Sequence, residues 1–217
     1  MKLGNLVEEI LEIVQDPSID AKKVKRIIND GILEAVSLSD TPLPDLETSA
    51  EVKTKTDRAW VNLPDDYHRK LNFCYSAAQN DRVATLDSLQ QLQSKYPDLT
   101  QSGVIWYVAI SGGRLYYQGI PDTVDTLRIG YYKLPPTIAR DDEEPAFLPR
   151  HLHKKLLVNY ACKEFFNIIE DGVEGRKVNT ASYEGKWEKA LVDLEMFLGP
   201  EQDEPKQIND MIMEIMQ

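Results

Sequence analysis

Three histidines are the first residues of this chain to consider for chemistry, because imidazole is a common metal ligand and general base near neutral pH. His151 and His153 are two residues apart in a segment of helical periodicity, where their side chains would project about 200° from one another. They cannot bind one ion together, and we expect two exposed histidines in a first helical turn. His68 follows Asp65-Asp66-Tyr67 and is expected in a solvated turn that enters a strand.

Carboxylates and thiols offer the remaining candidate chemistry. The run 141–144 could bind calcium or magnesium, but it lacks the ligand spacing and turn glycine of a calcium loop, and acids before a helix also interact favourably with its dipole. Cys162 lies on an apolar helical stripe and is expected to be buried and unreactive. Cys74 is expected to be partly exposed, with no histidine base beside it.

The pair Gly112-Gly113 lacks the lysine, the serine and the following helix of a phosphate loop. The sequence therefore predicts no catalytic residues, no metal site and no cofactor. An active site whose groups meet only in space would escape this test.

The composition is that of a folded globular protein, with 42% hydrophobic and 28% charged residues among 217. A net charge of −11 opposes binding to phosphate backbones and to anionic lipid. Two distant cysteines indicate neither a disulfide framework nor a zinc site. Acids within the first ten residues exclude the core of a signal peptide, so we expect a soluble protein made in the cytoplasm, without a membrane partner.

Helical periodicity occurs at the N-terminal end of the chain. Apolar residues at three- and four-residue steps predict a helix from Leu3 that ends near Asp16-Pro17. A second helix is expected after Ser18 or Asp20, either of which is a competent N-cap, and it should form a hairpin with the first. The prolines that follow Thr41 end the helical pattern.

Helical periodicity returns after the acidic run 141–144, with Pro149 at a first helical position. Two apolar stripes predict a helix covered on two sides, formed by Val158, Ala161, Cys162, Phe165 and Ile169 and by Leu152, Leu156 and Tyr160. A last long helix ends at Gly199-Pro200 and carries one apolar face of Tyr183, Trp187, Ala190, Leu191, Leu194, Phe197 and Leu198.

Between about Glu47 and Leu134 the apolar period changes to two, which predicts five to seven antiparallel strands. Residues 71–78 alternate, residues 104–110 are apolar on both faces as in a central strand, and Ser111-Gly-Gly-Arg114 predicts a two-residue hairpin. Residues 87–96 are expected to form a short helix.

The predicted fold class is α+β: an α-helical bundle of two N-terminal and two C-terminal helices, with an inserted antiparallel β sandwich or half-barrel and a C-terminal tail. The predicted parts are a helical hairpin over residues 1–40, a β domain over 45–136, C-terminal helices over 137–199 and a docking tail over 200–217.

The tail is the strongest candidate for a binding element. Ile208, Met211, Ile212 and Ile215 fall on one side of a helix, and methionine suits irregular partner grooves. Four such side chains would gain roughly 1.5 to 3 kcal/mol each on burial before ordering costs. The alternative is a tail that folds back on its own bundle or frays.

The order of elements resembles the head-to-tail adaptor proteins of tailed bacteriophages, which are also called head-completion, connector or tail-tube gatekeeper proteins. The resemblance extends over most of the chain. It lies in 27–30 (Ile-Ile-Asn-Asp), 59–66 (Ala-Trp-Val-Asn-Leu-Pro-Asp-Asp), 127–135, 141–149, Leu152, Tyr160 and Ala161.

The resemblance implies a structural component of the virion, synthesised in the host cytoplasm and located at the head-tail interface. It implies a homo-oligomeric ring, expected as a dodecamer, that docks on the portal protein, extends the DNA ejection channel and joins tail or nozzle proteins. DNA would pass without specific binding. In this hypothesis the portal is bound by Ile208, Met211, Ile212, Met213, Ile215 and Met216. The alternative function is a soluble oligomeric adaptor or regulator that binds a protein through its β surface.

Overall fold

The computed structural model describes residues 1–171 and 177–200, and within these ranges it contains five α-helices and seven strands in a curled sheet. The protein is therefore α+β. The chain divides into two compact units, one made of Met1–Leu43 with the chain from Pro136 onward, and the other of Pro44–Pro135. Of the helices in the described ranges, none combines the length and the apolar character needed to cross a membrane.

The N-terminal helices are α1 (Leu3–Val14) and α2 (Ala21–Leu38). Of the two predicted caps for α2, the structure uses Asp20, whose side chain accepts a hydrogen bond of 2.7 Å from the backbone N–H of Lys23. The predicted end of α1 is confirmed within two residues. Val24, Ile28, Gly31, Ile32, Ala35 and Val36 are the buried residues of α2.

The segment after Pro149 is less regular than predicted. It begins with a 3₁₀ turn (Arg150–Leu152), continues as a π-helical turn (Lys154–Val158), and becomes helix α4 only at Asn159–Ile169. The label α4 is used only for Asn159–Ile169, which contacts α1 and α2. Most of the two predicted stripes is buried, but Ile169 is exposed, which corrects its assignment.

The last helix is α5 (Val178–Leu198), and it ends before Gly199 as predicted. Trp187, Ala190 and Leu194 are its buried residues. Helix α5 packs on α4, where the Trp187 ring contacts the Tyr160 ring. Phe197 was predicted on this buried face, yet 59% of it is exposed. Its ring contacts the imidazole of His151 edge-on at 5.3 Å instead of entering the core.

Helices α2 and α4 approach closely at one glycine. A Cβ atom built on Gly31 would lie 2.5 Å from Cδ1 of Tyr160. The Tyr160 ring packs on Trp187 at 5.4 Å, and its hydroxyl donates a hydrogen bond of 2.8 Å to Glu34. Only glycine leaves room for this ring to pack directly against the backbone of α2.

The sheet has the strand order β1-β7-β3-β4-β5-β6-β2. Its elements are β1 (Glu47–Lys53), β2 (Trp60–Asn62), β3 (Tyr67–Ser76), β4 (Asp81–Leu86), the short helix α3 (Leu89–Lys95), β5 (Tyr107–Ser111), β6 (Arg114–Tyr117) and β7 (Thr126–Lys133). All neighbours are antiparallel except β4 and β5. The wholly antiparallel prediction is wrong at this pair, because the connection through α3 is long enough to return the chain in the same direction.

The side chain of Cys74 in β3 faces the core of the sheet, whereas partial exposure was expected. Cys74 is only 1% exposed and belongs to the core of the sheet, together with the inward-facing Leu71. Phe73 lies on the other face, directly over Gly130. The register with β7 shifts between Leu71 and Phe73, and an extra residue at such a bulge reverses which side chains face the core.

The predicted hairpin is confirmed. Ser111 pairs with Arg114, and the glycines between them have φ angles of 55° and 75°, the left-handed values that a tight hairpin turn requires. The preceding central strand is shorter than predicted: it begins at Tyr107, and Val104 and Trp106 are exposed. The predicted short helix is confirmed as α3, capped by the Ser88 side chain.

Candidate functional site

His153 is buried, which corrects the expectation of an exposed side chain. Its Nδ1 lies 2.6 Å from the amino nitrogen of Met1, and its Nε2 lies 2.9 Å from the carbonyl oxygen of Leu148. Burial lowers the pKa of His153, so the ring is neutral, accepting from the amino group and donating to the carbonyl. It joins segments of the fold and is not open to a substrate.

The other two histidines, His151 and His68, differ from His153 in their exposure. His151 is exposed as predicted and contacts Phe197. His68 lies inside strand β3 and is half-buried, so its placement in a solvated turn was wrong. Burial lowers the pKa of His68.

Backbone carbonyl groups of the acidic run 141–144 accept hydrogen bonds from the first residues of α1. The backbone N–H groups of Leu3 and Gly4 donate to the carbonyl oxygens of Glu143 and Asp141 at 2.8 and 3.0 Å. The Glu143 carboxylate in turn accepts from the backbone N–H of Ala139 at 2.6 Å. The hydrogen bonds of Leu3 and Gly4 satisfy N–H groups of the first turn of α1 that have no partner within the helix.

Across residues 1–171 and 177–200, no three His, Cys, Asp or Glu side chains are grouped so that they could hold a metal ion.

Both thiols are buried. Burial raises the pKa of Cys162 to about 12, and burial with the nearby Asp125 carboxylate raises the pKa of Cys74 to about 12. Each is protonated at neutral pH, and a protonated thiol is a poor nucleophile. The prediction for Cys162 is confirmed, whereas the partial exposure expected for Cys74 is wrong.

Asp125 is a buried acid that the sequence did not single out. Its carboxylate accepts from Ser76 Oγ at 2.5 Å and from the N–H of Ala78 at 2.9 Å. Its backbone N–H donates to Thr54 Oγ1 at 2.8 Å, and its carbonyl accepts from the N–H of Thr54. Asp125 therefore ties the end of β1 and the end of β3 to the start of β7. The sequence carries no signal for it, since its partners are 49 and 71 residues away.

A cationic and aromatic cluster lies on the solvent side of β2 and β6. The guanidinium carbons of Arg58 and Arg114 lie 4.7 and 4.0 Å from the centroid of the Trp60 ring. Arg58 also pairs with Asp57 at 3.2 Å. Trp60 is opposite Tyr116 in the β2–β6 register, which brings together side chains more than 50 residues apart in the chain. Sequence reasoning missed this cluster.

The end of α5 exposes apolar side chains near the last described residue. Met196 of α5 is 78% exposed, and Val192 and Phe197 of the same helix are each more than half exposed, as is Leu38 at the end of α2. Beside them, the Thr41 hydroxyl donates to the carbonyl of Gly199 at 3.0 Å, and the N–H of Asp40 donates to Glu195 at 2.7 Å.

The predicted portal-binding residues lie outside the described residues. They are Ile208, Met211, Ile212, Met213, Ile215 and Met216. Their role stays a prediction.

The sequence matches the family described as SU10 adaptor protein over residues 1–208, which includes the whole of the unit Pro44–Pro135 and most of the other unit. No curated protein matches the chain.

Proposed function

Since this chain belongs to the SU10 adaptor family, a family of phage adaptor proteins, we propose that it is a structural head-tail adaptor that docks on the portal of the virion as a ring. The observation that carries the proposal is the family match from residue 1 to residue 208, which leaves out only the last nine residues of the 217. The proposed ring is a dodecamer that extends the DNA channel and joins the tail.

The helical unit is proposed to pack side by side with its copies around the ring, with its α1, α2, α4 and α5 helices as one bundle. Helix α5 supports this arrangement, because Val192 and Met196 are exposed on it. Apolar side chains left in water favour burial at a contact. The C-terminal tail would bind the portal and the β unit would meet tail proteins.

The acidic composition suits a channel for DNA. With 36 acids against 25 bases, the wall of a ring built from this chain would repel the phosphate backbone. DNA would pass through it without being held. The protonated thiols and the fully bonded His153 are consistent with a role in assembly.

The test of the ring is mass measurement of the purified chain with and without the portal protein of its phage. We expect small species for the chain alone and a stoichiometric ring once portal is added. A chain whose mass is indifferent to portal would contradict the proposal and favour the soluble adaptor that uses its β surface.

The tail has a separate test. Deletion of residues 201–217 should give particles that package DNA and then lose it or fail to acquire tails. The matched pair replaces Ile208, Met211, Ile212 and Ile215 with serine in one variant, and Gln202, Gln207 and Asn209 with serine in the other. Only the first should reproduce the defect, because it removes the apolar side of the predicted helix. Fully infectious particles from the deletion would show that the tail is not a docking element.

A further inference from the structure

Helix α5 is apolar on two opposite sides. Ala190 and Leu194 are buried on one of them. Val192 lies two residues from each, and two residues of a helix turn by about 200°, so its side chain points away from the core. Met196 follows one turn later, and the two side chains are 56% and 78% exposed. Lys189, Val192 and Met196 are called the outer row of α5 below, and the apolar part of this row is left in water.

The last described residue, Pro200, lies beside the outer row. Gly199 has a φ angle of 74°, so the chain leaves the helical path directly after α5. The carbonyl of Gly199 accepts a hydrogen bond of 3.0 Å from the Thr41 hydroxyl, which fixes the point of departure. Met196 and Pro200 line the same shallow depression of the surface. The segment from residue 201 onward therefore starts within reach of the outer row.

The tail is long enough to return along α5. Residues 201–206 precede the predicted apolar helix and span up to about 20 Å when extended. Packed helices are about 8 to 10 Å apart, so this link allows the chain to reverse its direction. As a helix, residues 207–217 would be about 16 Å long, which matches the length of α5 from Met196 back to Gly185.

The tail repeats the spacing of the outer row in reverse. If Ile208 lies level with Met196 in an antiparallel pair, Ile212 lies level with Val192, because each helix advances by four residues. The apolar side of the tail then meets the apolar part of the row. Both would be removed from water by the same contact.

The next step of this register joins opposite charges. Glu214 comes within one residue of the level of Lys189. Lys189 is exposed and forms no ion pair within the described residues, and Asp193, the acid one turn away, is already paired with Lys155 at 2.7 Å. Charge complementarity therefore favours the tail as the occupant of the outer row.

We propose that in the free chain the tail lies antiparallel on the outer row of α5 and covers it until the portal binds the tail. This inference rests on the proposed function and adds a control of assembly to it. The portal and the outer row compete for the same apolar side of the tail, so the ring contact proposed for α5 becomes available only on the portal.

The chain's own tail is favoured over a second copy as the occupant. A segment attached through a short link is present at a local concentration on the order of millimolar. A second copy in a micromolar solution of the purified chain competes poorly with it. On the portal the tail is bound elsewhere and the copies are held side by side, so the next copy then meets an uncovered row.

The first test locks the tail on α5. In the full chain with Met196→Cys and Ile208→Cys, mild oxidation should form a disulfide within one chain. Met196→Cys with Ile215→Cys should not, because seven further residues of helix add about 10 Å. The two native thiols are buried and do not interfere. With portal present the locked chain should form no ring, and reduction of the disulfide should restore the ring.

The second test removes the tail. Without portal, the chain that lacks residues 201–217 should associate with itself at a concentration about tenfold lower than the full chain does, the factor expected if the tail covers the row in about nine molecules of ten. Val192→Ser with Met196→Ser in the shortened chain should abolish this gain. Val124→Ser, at an exposed position of the β unit, should not. Analytical ultracentrifugation measures the association.

Three results would overturn the proposal and leave the ring itself standing. Disulfides that join two chains would show that a second copy occupies the row. A locked chain that forms the ring on portal would show that the tail does not control assembly. A shortened chain that associates no more readily than the full chain would show that the tail does not cover the row. Failure of the unmodified chain to form a ring with portal would instead contradict the proposed function.

Discussion

Gly31 on α2 faces the ring of Tyr160 at a distance that leaves no space for a methyl group. In Gly31→Ala the new Cβ would lie 2.5 Å from Cδ1 of Tyr160, and the ring is held by Trp187 and by its hydrogen bond to Glu34. We expect the free energy of unfolding to fall by about 1 to 3 kcal/mol, the usual cost of overpacking a core. Urea denaturation measures it.

Gly185 on α5 is the matched control for this change. It lies at an exposed position inside α5, and no atom lies within 4 Å of the position of its missing Cβ. Gly185→Ala should raise the free energy of unfolding by about 0.5 to 1 kcal/mol, because alanine restricts the unfolded chain and favours helix. Equal effects of the two substitutions would contradict the steric argument at Gly31.

His153 makes stability depend on pH. Burial lowers its pKa in the folded protein, whereas a histidine of the unfolded chain titrates near 6.5. As the pH falls through about 6.5, the unfolded chain binds more of this proton than the folded protein does, so the free energy of unfolding falls. In His153→Gln this contribution to the dependence of the free energy of unfolding on pH should be lost. The measurement is urea denaturation at pH values above and below about 6.5.

The exposed His151 provides the comparison, and His151→Gln should keep the wild-type slope. Some slope will remain in His153→Gln, because the pKa of His68 is also lowered by burial. An unchanged slope in His153→Gln would show that the buried imidazole does not set the pH dependence.

At the scale of elements, the turn between β5 and β6 depends on backbone that only glycine adopts readily. Gly112 and Gly113 have φ angles of 55° and 75°. Gly112→Ala should lower the free energy of unfolding by about 1 to 2 kcal/mol, the cost of a left-handed conformation for a residue with a Cβ. Gly113→Asn should cost less, because asparagine tolerates that region.

Gly103→Ala is the control for the hairpin, since Gly103 has no left-handed φ and no atom near its missing Cβ. Chemical denaturation of the three variants gives the comparison. A hairpin variant as stable as Gly103→Ala would show that the turn accepts other residues without strain.

Element types could be predicted from periodicity, but the faces of β3 could not. A period of three to four residues located α1 and α2 because their buried stripes are continuous. The period of two located β3, yet the shift between Leu71 and Phe73 reversed its faces and buried Cys74. A bulge depends on the partner strand, which no local pattern contains.

The candidate site residues could not be predicted for the same reason, because their positions depend on distant segments of the chain. The Trp60 cluster needs the register of β2 with β6, and Asp125 needs partners from two other strands. A local pattern also misplaced His153, whose burial depends on Met1, 152 residues away. Residues that act within one helix or turn could be predicted from the sequence, and residues that act between distant segments could not.

At the scale of the whole molecule, the net charge of −11 makes a prediction about DNA. The purified protein should not retain duplex DNA between about 50 and 200 mM salt, a range over which electrostatic binding changes steeply. Fluorescence anisotropy of a labelled duplex measures this. Binding that strengthens as salt is lowered would show a phosphate-binding surface and contradict a repelling channel wall.

The division of the helical unit by the β insertion also has a consequence for synthesis. Helices α1 and α2 leave the ribosome before their partner α4, because the segment Pro44–Pro135 is made in between. At about 5 to 20 residues per second, these helices wait several seconds with an uncovered apolar stripe. We expect the nascent chain to recruit chaperones during that interval and to release them once α4 emerges, which ribosome-bound chains halted at successive lengths would reveal.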